Sequence, residues 1–123
     1  MHLRQPRLGI ALGSGSARGW AHIGVLRALE QAGIVPDVVS GASIGALVGA
    51  AYASDRLDPL EAWVTQIDWW EIIRYMDLRL GGVEGERLMQ AFSERVEDAL
   101  IENLPKPFGA VAADLHTGRE VWF

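Results

Sequence analysis

The pentapeptide Gly41-Ala42-Ser43-Ile44-Gly45 constrains this chain more than any other stretch. It has the form G-x-S-x-G, with the apolar pair Val38-Val39 before it and a run of small and apolar residues, 44–53, after it. A strand that reaches a serine and leaves it as a helix must bend sharply. The bend lifts the serine side chain clear of the backbone at the edge of a sheet. Gly41 and Gly45 flank it because a side chain at either place would clash as strand and helix close on each other. The helix points its positive end at Ser43, which favours negative charge developing there. Ser43 is therefore a candidate nucleophile, and the open question is what would activate it.

The rest of the chain reads as an alternation of strands and helices. Residues 8–12 form a short apolar run ending in a glycine-rich turn, Gly13-Ser14-Gly15-Ser16-Ala17-Arg18-Gly19. A helix is expected over 18–32, with Ile23, Leu26 and Leu29 at helical spacing and Gly33 as its stop. A second strand follows at 38–40, and strand–helix–strand implies parallel pairing with a right-handed crossover. Residues 44–53 are apolar almost all round, which predicts a buried helix. Asp58-Pro59-Leu60-Glu61 has the form of a helix start, with Asp58 as N-cap, and that helix should run to about residue 67. A further short helix is expected over 69–75, then a break at Gly81-Gly82. An amphipathic helix over 86–99 should carry Leu88, Phe92, Val96 and Leu100 on one face. Pro105 and Pro107 mark a loop, 108–113 a strand, His116-Thr117-Gly118 a turn and 119–123 a last strand.

The 123 residues suffice for one domain with a real core and not for two, so 1–123 is read as a single domain. Half the residues are apolar and the net charge is −5, an ordinary globular balance. No basic stripe is interleaved with aromatic residues, so nucleic acid is not an expected partner. Cysteine is absent, which excludes disulfides and thiolate metal sites. The basic start has no apolar segment behind it, and no run is long enough to span a bilayer; the expectation is a cytoplasmic protein. Val121-Trp122-Phe123 reads as the middle of an apolar strand. The chain is therefore expected to be part of a longer domain or to have its end held by something else, and the last strand is open to pairing with a second copy.

The glycine-rich turn has two functional readings. Backbone N–H groups in such a turn, at the start of a helix, can cradle a dinucleotide pyrophosphate or stabilise the oxyanion of an acyl intermediate. The dinucleotide pattern fits poorly. Gly19 falls one place late for G-x-G-x-x-G, and the second strand ends in Ser40-Gly41 where an acid should meet a ribose. The oxyanion reading fits the topology. Both turns follow parallel neighbouring strands, so the N–H groups of 13–19 and the Ser43 hydroxyl should face one crevice.

Taken together, the run from Gly9 to Leu26, with Gly41-Ala42-Ser43-Ile44-Gly45 and the segment 108–118, resembles the bacterial patatin-like phospholipases, in the branch related to neuropathy target esterase. The resemblance is strong over about 7–53 and 105–123 and loose between. It implies a three-layer α/β/α fold with a mostly parallel central sheet, incomplete here at its C-terminal side. It also implies hydrolysis of lipid acyl esters by a serine–aspartate dyad, with no metal and no cofactor. On this resemblance Ser43 is the nucleophile, between the elbow glycines Gly41 and Gly45. The loop Gly13, Ser14, Gly15, Ser16 and Gly19 supplies the oxyanion hole through its backbone, and Arg18 faces a phosphate head group. Ser14 stands where many members have glycine, a change that leaves main-chain donors intact. The family's aspartate lies in a D-G-[GA] motif, and this sequence has no Asp-Gly dipeptide.

Other bases are poor substitutes. His22 reads as a packed or half-exposed helix histidine. Asp114 and His116 follow Ser43 in the order of an α/β-hydrolase triad but are only two apart beside Thr117-Gly118, so Asp114 reads as a turn anchor. Asp37 lies at the wrong end of its strand. The patch 69–76, with Trp69 and Trp70, reads either as core packing or as a contact with a membrane surface. The expected function is thus a lipid acyl hydrolase of which this chain holds the serine. The alternatives are a non-catalytic interaction module on the same fold and, less favoured, a nucleotide-binding module.

Overall fold

The computed structural model describes residues 6–68, 70, 82–97 and 99–123. In chain order these form strand β1 (Gly9–Leu12), a 3-10 turn (Ser16–Trp20), helix α1 (Ala21–Gln31), strand β2 (Val38–Ala42), helices α2 (Ile44–Ala53), α3 (Leu57–Gln66) and α4 (Gly82–Val96), a second 3-10 turn (Ile101–Asn103), and strands β3 (Phe108–Ala113) and β4 (Glu120–Trp122). The sheet order is β1-β2-β3-β4. The first three strands are parallel and β4 runs antiparallel to β3, which makes the sheet mostly parallel and the fold α/β.

Strand order decides where the core lies. Both crossovers, β1 to β2 through α1 and β2 to β3 through α2 to α4, step in the same direction along the sheet. Right-handed crossovers taken in one direction lay their helices on one face. The packing agrees: Leu12 of β1, Val39 of β2, Ile23 and Leu26 of α1, Val48 and Tyr52 of α2, Leu60 of α3 and Phe92 of α4 form one cluster. Gly49 of α2 lies over Leu12, Val39 and Phe108, so α2 sits directly on the three parallel strands. On the other face Ala11, Val38, Ser40, Gly109, Val111 and Trp122 line an open, largely apolar concavity of about 550 Å³. The second helical layer of a three-layer fold is not among the described residues.

Local sequence explains most boundaries. α1 stops where Gly33 turns to φ 72°. The Gly33 N–H donates to the Glu30 carbonyl and the Ile34 N–H to the Leu29 carbonyl, the paired bonds of a Schellman ending. Several expectations need correction. The helix expected over 18–32 is divided: Ser16–Trp20 is a 3-10 turn and the α-helix begins at Ala21. α3 starts one residue before Asp58, with Arg56 at the cap and no side-chain cap bond. Asp58 pairs instead with Arg27 of α1, whose guanidinium also meets Glu61 at 2.7 Å and Glu30 at 3.1 Å. Three carboxylates hold the Arg27 pKa above its ordinary value, and the group ties α1 to α3. α4 begins at Gly82, earlier than expected, and ends at Val96, because Glu97 adopts φ 60°. Leu100 is consequently not on the α4 face and is exposed, while Phe92 and Val96 are buried. The helix expected over 69–75 lies outside the described residues except for Trp70, whose side chain is exposed.

The β3–β4 connection shows how a short polar motif sets a turn. The Asp114 carboxylate accepts hydrogen bonds from the His116 N–H at 2.9 Å, the Thr117 N–H at 2.7 Å and the Thr117 hydroxyl at 2.9 Å. Gly118 completes the turn at φ 69°. The Thr117 backbone and side-chain bonds, and then the His116 bond, favour the ionised carboxylate and hold its pKa below the ordinary value of 3.8. A depressed carboxylate stabilises the turn above its unfolded pKa, and that contribution is lost as pH falls through the lowered folded value. The Thr117 amide resonance is therefore expected to titrate with a midpoint below 3.8. A midpoint at or above the ordinary value would show that Asp114 does not hold the turn.

Candidate active site

The site is built where β1 and β2 end side by side. Leu12 is in register with Gly41, so the chain leaves β1 at Gly13 beside the bend at Ser43. Ser43 sits at φ 55°, ψ −129°, directly before α2, and its side chain is exposed. That is the first central position of a type II′ turn, where glycine is the ordinary occupant. Serine at a helix start usually bonds an N–H of the first turn. Ser43 makes no such bond, and only its carbonyl enters the helix, accepting from the Ala46 N–H at 2.9 Å. The hydroxyl is left free at the positive end of a ten-residue helix.

Two glycines are sterically required at this bend. A Cβ on Gly41 would lie 2.3 Å from the Gly45 carbonyl oxygen, and one on Gly45 would lie 2.1 Å from the Leu12 carbonyl oxygen. A third close approach joins the glycine-rich turn to the bend: a Cβ on Gly19 would fall 1.9 Å from Cγ2 of the buried Ile44. The turn itself opens outward. Gly13, Ser14, Gly15, Ser16 and Arg18 are exposed and Gly19 is buried. Ser16 has φ 51°, and the Arg18 N–H donates to the Gly15 carbonyl at 3.1 Å. Gly15, Ser16, Ala17 and Arg18 line a shallow concavity of about 330 Å³. Among the described residues Arg18 has no ion-pair partner, which leaves a cation beside outward-facing backbone. Behind the turn, Trp20 packs edge-to-face on Trp63 at 6.1 Å, and Arg95 lies 4.8 Å over the Trp63 ring.

None of the candidate bases hydrogen-bonds Ser43 among the described residues. The Asp114 carboxylate is taken up by its own turn, accepting from His116 and Thr117. Asp37 accepts the Leu8 N–H at 2.8 Å at the opposite end of the strands. His22 turns its Nε2 to the Gly13 carbonyl oxygen at 2.8 Å. Among the described residues no side chain hydrogen-bonds the Ser43 hydroxyl, and no group of histidine and carboxylate side chains is arranged to hold a metal ion. The His22–Gly13 contact is a feature of the site that sequence reading missed. Its signal was present: a histidine in the first turn of the helix that a glycine loop feeds.

A mostly parallel sheet whose second strand turns through an exposed, left-handed serine into a buried helix, beside a glycine-rich turn, defines an α/β protein with a serine elbow. A family model described as patatin-like phospholipase matches residues 10–121. The chain belongs to that family, which is a family of hydrolases. It is 41% identical over 121 residues to an uncharacterized NTE family protein of Mycobacterium tuberculosis strain H37Rv, a match covering 96% of this chain and 34% of the relative. It is 32% identical over 130 residues to neuropathy target esterase sws of Drosophila melanogaster, covering 94% of this chain and 9% of that protein. The chain thus spans about a third of the length of the mycobacterial relative and a much smaller share of the fly protein. No helix among the described residues is long and apolar enough to cross a membrane.

Proposed function

We propose that this chain is the serine-bearing part of a lipid acyl-ester hydrolase. Ser43 attacks the ester carbonyl, and the backbone N–H groups of residues 13–16 stabilise the resulting oxyanion. The alcohol leaves with a proton, and water then releases the acyl group from Ser43. The observation that carries the reading is the free, exposed Ser43 hydroxyl in a left-handed bend at the start of α2. Family membership supports an ester of a fatty acyl group as substrate. The uncompensated Arg18 supports a phosphate-bearing alcohol, and exposed Trp70 supports approach to a lipid surface. Trp69, which the sequence reading paired with it, lies outside the described residues.

A serine hydroxyl needs a base within hydrogen-bond reach to turn over at useful rates. With none on Ser43 among the described residues, an aspartate from beyond residue 123 or from another chain would complete the dyad. The 123-residue chain is accordingly expected to react at Ser43 with a fluorophosphonate probe and to show little hydrolysis of short or long acyl esters. Absence of labelling would overturn the nucleophile assignment. Brisk turnover by this chain alone would overturn the need for an added base. The non-catalytic alternative shares the observation that no described base meets Ser43; it differs in expecting Ser43→Ala to leave the biological role intact.

A further inference from the structure

We infer that His22 is a positioning residue that aims the Ser14 N–H of the glycine-rich turn at the oxyanion, by holding the Gly13 carbonyl from behind. The inference rests on the reading of Ser43 as nucleophile and assigns a role to a residue outside that machinery.

The space around Gly13 is open on its Cα side. A Cβ added there would meet nothing within 4 Å, and its φ lies outside the left-handed region. The Gly13 Cα is therefore not walled in as Gly19, Gly41 and Gly45 are, and the Gly13–Ser14 peptide is packed only on its oxygen side, against Gly45. The directional contact on that oxygen is a hydrogen bond. His22 lies in the first turn of α1, and its Nε2 is 2.8 Å from the Gly13 carbonyl oxygen. A carbonyl only accepts, so Nε2 carries the proton and donates. The same oxygen lies on the inner side of the turn, 2.5 Å from where a Gly45 Cβ would be.

Peptide geometry supplies the second step. The chain has no cis peptide bond among the described residues, and in a trans peptide the C=O and the following N–H point in opposite directions. A Gly13 carbonyl drawn inward, toward α1 and the first residue pair of α2, turns the Ser14 N–H outward. Ser14 is exposed, beside the bend that presents Ser43. Without the imidazole, this plane loses the hydrogen bond that directs it and can turn to present an oxygen where a donor is needed. A donor aimed before the reaction is effective because it needs no reorganisation as charge develops.

The test uses the intact 123-residue chain, a fluorophosphonate probe and three variants. His22→Gln keeps an amide donor at nearly the position of Nε2, His22→Asn keeps polarity but is too short to reach, and His22→Leu removes the donor. Losing the aim of one oxyanion donor is expected to slow the limiting rate of Ser43 phosphonylation by about tenfold or more in the Asn and Leu variants. Probe affinity should be unchanged and His22→Gln should remain near the parent rate. A merely structural histidine would not give that split between rate and affinity, nor rescue by glutamine. In the phosphonylated parent chain the Ser14 amide proton should move downfield, and it should not in His22→Leu. Labelling of all three variants at the parent rate, or a glutamine variant as slow as the leucine one, overturns the inference and leaves the nucleophile reading standing. A parent chain that takes no label overturns both. Should His22→Leu fail to fold, the Asn and Gln pair carries the same comparison.

Discussion

The Ser43→Gly variant is expected to resist denaturant better than the parent chain and to take no fluorophosphonate at all. Ser43 holds φ 55°, ψ −129°, a backbone region in which a side chain is strained and glycine is not. Strain of this kind costs about 1–3 kcal/mol. Glycine gives back about 0.5–1 kcal/mol through the greater freedom of its unfolded chain. The difference leaves a gain of about 1 kcal/mol, readable as a higher urea midpoint at unchanged slope. Ser43→Ala separates the two effects: it keeps the strain and loses the hydroxyl, so it should match the parent in stability and the glycine variant in silence toward the probe. A glycine variant less stable than the alanine one would refute the claim of strain. A serine where glycine is more comfortable, left unbonded at a helix start, is the observation on which the nucleophile proposal rests.

Gly45→Ala is expected to act in the opposite sense and more strongly. Its new Cβ would lie 2.1 Å from the Leu12 carbonyl oxygen and 2.5 Å from both the Leu12 carbonyl carbon and the Gly13 oxygen. All three are backbone atoms of β1 and the start of the glycine-rich turn, so no side chain can swing aside. Either α2 moves off the sheet or β1 moves away from β2. α2 lies over Leu12, Val39 and Phe108, so either movement opens the core. A loss of about 3 kcal/mol is expected, at the upper end of overpacking effects, together with loss of Ser43 labelling. Chemical denaturation and probe labelling measure the two. An alanine variant within experimental error of the parent would show that β1 and α2 are not in this contact.

Much of this was legible because it follows from local rules. The apolar runs before Gly13 and Gly41, the small-residue helix after Ser43 and the glycine at the end of α1 each carry a periodicity or a backbone preference that one segment expresses alone. Asp114 was readable as a turn anchor for the same reason: its partners are two and three residues away. The misreadings have a shared cause, which is that distant partners outbid local patterns. Asp58 and Pro59 have the form of a helix start, yet Arg27, thirty-one residues earlier, claims the Asp58 carboxylate and α3 begins at Leu57. The helix expected from residue 18 is tightened into a 3-10 turn where Gly19 meets Ile44. α4 ends at a glutamate with φ 60°, which no glycine announces; Glu97 instead pairs with Arg56 at 2.6 Å. In the site, the serine and its flanking glycines were visible as a motif. The bond from His22 was not, because a nine-residue separation through a glycine loop has no periodicity to read.

The contact between Gly19 and Ile44 has a consequence for how such sequences can change. The residue that follows the serine fills a notch in the turn that would face the oxyanion, with no room for one additional carbon. Positions 19 and 44 are therefore one choice and not two. A chain that acquires alanine at 19 must first, or at once, shrink its residue at 44, and a larger residue at 44 closes position 19 to everything but glycine. Enlargement at position 19 depends on shrinkage at position 44, which couples the two halves of the site across twenty-five residues.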